Sequence, residues 1–480
     1  MKKTLNRSIS GLLLAFSGVA MFTSCSDDFP SNVESDKLTE LKSIRIVNAG
    51  PSGDQILEGD VDENSKSITF PRIDTLSDFE NIRFEAITSD GAKLEKEVYT
   101  IPYESGDTQR EIYLKVTNLP RFKEYRATIR FKVPVYGANF DAPTYYDFSV
   151  NQIGNPVYPS LATANTRGTG FDGKNVLIID RGGAGVHLLE VNKLKENVIE
   201  RIPLNMEGVI DGTLPVNMGA QVHGHTYVAN LSGAQASPLK LYHWANPSQA
   251  PDLVANINVA SLSGAGVRHG DTFSINLDKN GNGYAFFMSP IAQIIRLKIT
   301  NFTEGSEPTV ITPKINYEQW GHYSQIGETE SYILSGHSQP FSLVNNVASA
   351  TYPMKSGSLP KSFSDVKIFT FNGTRYMLGI TVPRGGTNAT NATLYLYNIN
   401  KGNNILDALT ALEQTAVDGK EAPYVFSYLI GSTPNGSPGT QSGYHITKDA
   451  SGKDEKLMIY GATSQGGFAI IEFGVGVAED

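Results

Sequence analysis

"FDGKNVLIIDRGGAGVHLLEV", residues 171–191, carries the two signals that decide the fold. An Asp-Gly turn leads into an apolar run, "VLIID" (from 176), and a Gly-rich loop leads into a second run, "VHLLEV" (from 186). Turns of this kind join antiparallel strands. The pattern recurs along the chain. The first run returns as "TYVAN" (226), "GYAFFM" (283), "SYILSG" (331), "RYMLGIT" (375) and "KLMIYGA" (456), at intervals of 50, 57, 48, 44 and 81 residues. Each return has its own turn signal: "VHGH", "DKNGN", "GETE", "FNGT" and "DASGKDE". The second run returns as "LKLYHW", "QIIRLKI", "FSLVNNV", "TLYLYNI" and "FAIIEFG". Four-stranded units repeated at about 40 to 55 residues are the signature of a β-propeller, and six blades are counted.

The sixth unit reaches Asp480 without an outer fourth strand, and "PVYPSLAT" (156–163) is expected to supply it and close the ring. The 81-residue interval holds "NILDALTALEQTAV" (404–417), read as a short helix before "YVFSYLI", the outer strand of blade five. A seventh, degenerate blade there is the alternative.

Upstream, runs of period two ("LKSIRIVN", "SITF", "NIRFEAI", "REIYLKV", "EYRATIRFKV" and "YYDFSV") mark half-buried strands. They suggest a small immunoglobulin-like β-sandwich over 41–150, a linker at 151–160 and the propeller over 161–480. The fold class is therefore all-β. This first part contains no histidine and no convergent chemistry, so it reads as a spacer or docking module.

The N-terminus reads as a signal peptide over 1–24, because Lys2, Lys3 and Arg7 precede an apolar run from Ile9 to Phe22. Cys25 follows directly and is the one cysteine of the chain. A disulfide framework, a thiolate metal site and a cysteine nucleophile are all excluded. A polar tether runs from 25 to 40. Without the signal the balance is 37 basic against 49 acidic residues, and an acidic chain with no basic cluster is a poor nucleic-acid binder.

Strand order sorts the loops of a propeller onto two faces. The lead-in to each innermost strand and the loop between strands two and three share the face where ligands usually dock; the hairpin between strands one and two lies on the other. The expected ligand face collects Arg167, Arg181, Arg268, His269, Trp320, His322, Tyr323, His337 and Arg384, with Asp180 and Asp271 as the carboxylates an enzyme would need. Aromatic rings among fixed donors suit a sugar or a peptide. Some of these side chains also read as blade packing, Trp320 and His269 above all. Three other motifs fail on context. His223 and His225 in "VHGHT" lie in an opposite-face hairpin with no third ligand. "DKNGNG" (278–283) lacks the closing Glu and the flanking helices of a calcium loop, and "GTGFDG" (168–173) leads into a strand. No metal and no cofactor is expected.

"CSDD" (25–28) resembles the lipidation and export signal of Bacteroidetes cell-surface lipoproteins, and the two-part chain looks like a Bacteroides family of uncharacterised domains. The resemblance implies lipid on Cys25, a place on the outer membrane facing the exterior, and partners of the starch-utilisation kind: a TonB-dependent transporter and its lid lipoprotein. The expected function is capture of an oligosaccharide or peptide nutrient. A propeller glycoside hydrolase or lyase using Asp180 and Asp271, and a non-catalytic scaffold of the same complex, are the alternatives.

Overall fold

The apolar runs lack polar alternation because both of their faces are buried. In the strand Asn175–Asp180, Val176 and Ile178 pack into one inter-sheet cluster with Tyr460 and Ile470, while Leu177 and Ile179 pack into another with Val228 and Trp244. Ala285 and Phe287 likewise face one neighbouring sheet, and Phe286 and Met288 face the next. A strand covered on both sides reads as a continuous hydrophobic run. The structure, a computed structural model, describes residues 35–476 except 105–106, 133–134, 151–152, 211–213, 234–236, 267, 291–292, 338–339, 385–390, 432–435 and 437–438. Cys25 lies outside the described residues.

The second part of the chain is a six-bladed β-propeller. Its innermost strands, one per blade, are Thr166–Phe171, Met218–Val222, Phe273–Leu277, His322–Gln325, Phe363–Phe371 and Thr440–Lys448. Adjacent innermost strands touch in that order, and the last touches the first, so the ring is closed. Among the described residues there are six such four-stranded sheets and no seventh. The long interval instead holds the helix Ile405–Glu413, which buries Leu409 and Leu412 against the seam of blades four and five and precedes the outer strand Phe426–Gly431.

Each of the six seams has its own apolar cluster. Burial of one Leu or Phe side chain contributes about 1.5–3 kcal/mol, so one seam of about a dozen such residues outweighs the ~2–4 kcal/mol of a disulfide. A propeller built this way needs no cross-link.

Two sequence expectations are corrected. The closing strand is Thr144–Ser149, which pairs antiparallel with Gly467–Gly474 through Thr144↔Glu472 to Ser149↔Gly467. "PVYPSLAT" forms a short 3-10 turn at Pro159–Ala162 instead, since Pro156 and Pro159 withhold two ladder donors. The compact units accordingly divide between Pro134 and Val135, and not at 151–160. "YYDFSV" alternates like its upstream neighbours, which is why its period suggested the wrong partner.

The N-terminal unit is one hydrogen-bonded sheet of eight strands, where two facing sheets were expected. Its five longest strands are Leu41–Ala49, Gln55–Asp62, Ile82–Thr88, Gln109–Asn118 and Arg121–Arg130. The sheet curls so that Ile46, Phe84, Leu114, Val116, Ala127 and Ile129 share one core, and Ser67–Thr69 runs parallel to Arg121–Arg130.

"GTGFDG" owes its glycines to packing near the ring axis. A Cβ on Gly168 would lie 2.8 Å from the Met218 Cα, and one on Gly170 would lie 2.8 Å from the Gln221 backbone nitrogen. "DKNGNG" is a hairpin turn: the Asp278 carboxylate accepts from the Asn280 and Asn282 amides at 2.8 and 2.9 Å.

Candidate functional site

The innermost strands have two ends, and each end gathers side chains. At the end that leads into these strands, Arg167 follows Thr166, and Arg181 follows Asp180, the residue paired with Thr166 across the hairpin. Arg268 approaches from the lead-in to blade three and donates from both Nε and Nη2 to Asp271 Oδ1, the former at 3.0 Å. The charges of Arg268, Arg181 and Arg167 all act on the Asp271 carboxyl. Burial still holds that carboxyl above its ordinary value. Burial and the neighbouring Arg167 push Arg181 down to about 10. Arg268 is thus paired with that carboxylate, and the charges of Arg167 and Arg181 act on it as well.

A second group at this end forms around Gln319. Its side-chain oxygen accepts from Arg384, whose guanidinium lies 6.0 Å from the Trp320 ring, and its carbonyl lies 3.2 Å from His337 Nδ1. His337 Nε2 stands 3.8 Å from Glu318.

The other residues expected here are built into the blades. Tyr323 stacks on Phe286 at 4.0 Å, and its hydroxyl takes the Ala348 amide while donating to the Asn345 carbonyl. His269, 0% exposed, fixes its backbone to Ser232 and its ring to the Phe287 carbonyl. His322, 1% exposed, places Nδ1 3.3 Å from Asp365 Oδ1. Asp180 holds its own turn by accepting from the Gly182 amide at 2.6 Å.

The opposite end opens into a cavity of about 1210 Å³ to which all six blades contribute. Its wall includes Phe171 and Asp172 from blade one, Gln221 and His223 from blade two, and Asn276 and Tyr284 from blade three. Blades four to six add Tyr332, Lys367, Tyr444 and His445. Most of the polar wall is engaged in holding itself. His223 Nε2 lies 3.0 Å from the Leu277 carbonyl, and Lys367 reaches Asp365 and Ser324 at 2.6 and 2.9 Å. Asn276 bridges to Tyr323 and Gln325.

Gln221 is different. It is 8% exposed, and neither its amide oxygen nor its amide nitrogen has a protein partner. A buried amide left unpaired costs about 1–3 kcal/mol, which a ligand polar group recovers. The cavity was not foreseen, because its rim consists of the hairpins read as plain turns. A signal was present: the rim carries "FDGK", "QVHGH", "NLDKN" and "YHITK", each with a charged or histidine side chain beside a turn.

Among the described residues no cluster of three metal-ligating side chains occurs, and no helix is long and apolar enough to cross a membrane.

A family profile described as "Domain of unknown function (DUF4623)" matches residues 27–476. The crystal structure of a DUF4623 family protein from Bacteroides eggerthii DSM 20697 is 36% identical and superposes with a TM-score of 0.74, covering 92% of this chain and 100% of that one. A subtype N10 neuraminidase-like protein of A/little yellow-shouldered bat/Guatemala/060/2010 is 10% identical with a TM-score of 0.35, covering 67% of this chain and 97% of its own. That second likeness carries no argument. No curated protein matches.

Proposed function

The chain belongs to the DUF4623 family, and from that premise we propose that it is a lipid-anchored surface protein that captures oligomeric nutrient in the six-blade cavity. The observation that carries this reading is Gln221, a residue of the cavity wall whose amide is buried without a protein partner, in a wall shared with Tyr284, Tyr332 and Tyr444. Rings with polar groups between them match the alternating faces of an oligosaccharide or peptide. In this reading Cys25 carries lipid at the outer membrane, and the N-terminal unit is a spacer or docking module. The working partners are a TonB-dependent transporter and its lid lipoprotein.

Gln221→Leu tests the capture step. Removing the amide is expected to weaken the best ligand from a glycan and peptide panel about tenfold, by calorimetry, while the propeller melts at the same temperature or higher. Equal binding by both proteins, or no binding by the parent chain, would sink the idea. The anchor is tested by Cys25→Ser, which is expected to lose incorporation of labelled palmitate and leave the membrane fraction. Unchanged labelling refutes lipidation there.

A further inference from the structure

The cavity wall holds one ammonium group in a fixed place. Lys367, on the innermost strand of blade five, gives one N–H to Asp365 Oδ1 at 2.6 Å and another to Ser324 Oγ of blade four at 2.9 Å. An ammonium has three donors, so one is left for an acceptor in the cavity. Asp365 is 3% exposed and is itself anchored: its Oδ2 accepts from the Ser442 amide at 2.7 Å, and its Oδ1 lies 3.3 Å from His322 Nδ1. Held there, the carboxylate offsets the Lys367 charge. What Lys367 presents to a ligand is a directed donor with little net charge behind it.

The rest of the wall has a surplus of carboxylates. Asp172, Asp278, Glu328 and Glu330 line it, against Lys174, Lys298 and Lys367. Lys298 is engaged as well, by Glu307 at 3.4 Å. A ligand carboxylate or sulfate entering this cavity meets a surplus of like charge, whereas a hydroxyl takes the remaining Lys367 donor without that repulsion. Tyr284, Tyr332 and Tyr444 add aromatic rings to the same wall, suited to the C–H face of a sugar ring.

We propose that the cavity takes a neutral oligosaccharide and discriminates against acidic glycans, with Lys367 holding a ligand hydroxyl and the wall carboxylates turning uronates and sulfated sugars away. The inference rests on the capture function proposed above and narrows it to one ligand class. Discrimination of this kind comes from the repulsive element as much as from the attractive one.

The experiment is calorimetric titration of the full chain at low ionic strength with paired oligosaccharides that share a backbone and differ in a C6 hydroxymethyl or carboxylate group. Cello-oligosaccharides and manno-oligosaccharides, each beside its C6-oxidised form, are such pairs, and a peptide panel runs alongside. At least one neutral member is expected to bind about tenfold or more tightly than its uronate. The gap is expected to narrow about threefold when the exposed Glu328 and Glu330 are replaced together, Glu328→Gln with Glu330→Gln, and to narrow again as salt is raised. Lys367→Met is expected to weaken neutral binding about tenfold. Should that variant fail to fold because Asp365 loses its partner, the paired ligands and the Glu328/Glu330 replacement still decide. A uronate bound as tightly as its neutral counterpart, a peptide bound where no neutral glycan is, or a gap that neither the replacement nor salt moves would overturn the inference and leave capture standing. No binding by any member would overturn both.

Discussion

A chain that begins at Asn151 is expected not to form a stable propeller, whereas one that begins at Val135 is expected to melt cooperatively. The difference is the strand Thr144–Ser149, the fourth strand of blade six. It buries Phe148 against Phe468 at 5.2 Å, stacks Tyr145 on Tyr428 at 5.1 Å, and accepts the Tyr428 hydroxyl on Asp147 at 2.8 Å. Loss of a buried Phe side chain alone costs about 3–5 kcal/mol, a large part of the ~5–15 kcal/mol that holds a typical domain. Its removal also bares "GFAIIEFG", an apolar edge with unpaired backbone groups, which invites edge-to-edge association. Size-exclusion chromatography and calorimetry of the two truncated chains decide the matter. A monomeric 151–480 chain melting within a few degrees of the 135–480 chain would refute the role given to this strand.

The same strand marks how far the amino-acid sequence could be read. Second and third strands were legible in all six blades because burial on both faces leaves no polar residue in the middle of "VLII" or "YAFFM". "YYDFSV" was placed in the wrong unit because alternation reports one buried face and says nothing about which sheet covers it. The curl of the N-terminal sheet was hidden for a related reason: period two is the same whether strands divide into two sheets or continue around one.

At the candidate site, the loops that strand order assigns to one end of the ring carry Arg167, Arg181, Arg268 and Asp271, and the three arginine charges act on that carboxyl. The same sorting overcounted ligands there, since Tyr323 and His322 begin an innermost strand whose side chains are swallowed by the seams. Burial at such positions depends on the neighbouring blade, which local sequence does not encode. The cavity was passed over because turn chemistry and ligand chemistry draw on the same residues. Asp278 caps its hairpin and lines the wall at once.

Acidification from pH 7 to about 5 is expected to lower the melting transition of the propeller while leaving that of the N-terminal unit nearly fixed. All eight histidines lie beyond residue 186, so the N-terminal unit has none to titrate. Burial depresses His187, His225, His243, His269, His322, His337 and His445 below the ordinary histidine value. The His243 contacts suit the neutral ring. His243 Nδ1 donates to Asp252 at 3.1 Å, which leaves its Nε2 to accept from His225 Nδ1 at 2.7 Å, and a second proton on His243 breaks that link. A folded value below the unfolded one, near 6.5, means that the unfolded chain binds protons first as pH falls. Stability from these groups is complete above about pH 6.5 and declines below it until the folded rings also protonate. Each ring contributes a slope of at most about 1.4 kcal/mol per pH unit in that window, and the four most buried, His187, His243, His269 and His322, carry most of the decline. Asp365 acts only at lower pH. Burial, which raises its value, is outweighed by His322, Lys367 and the Ser442 amide, so its share persists above the unfolded carboxylate value and disappears as pH falls through the folded one. Differential scanning calorimetry across pH 7.5 to 5 checks the expectation, and a propeller transition that stays level through pH 6 would refute it.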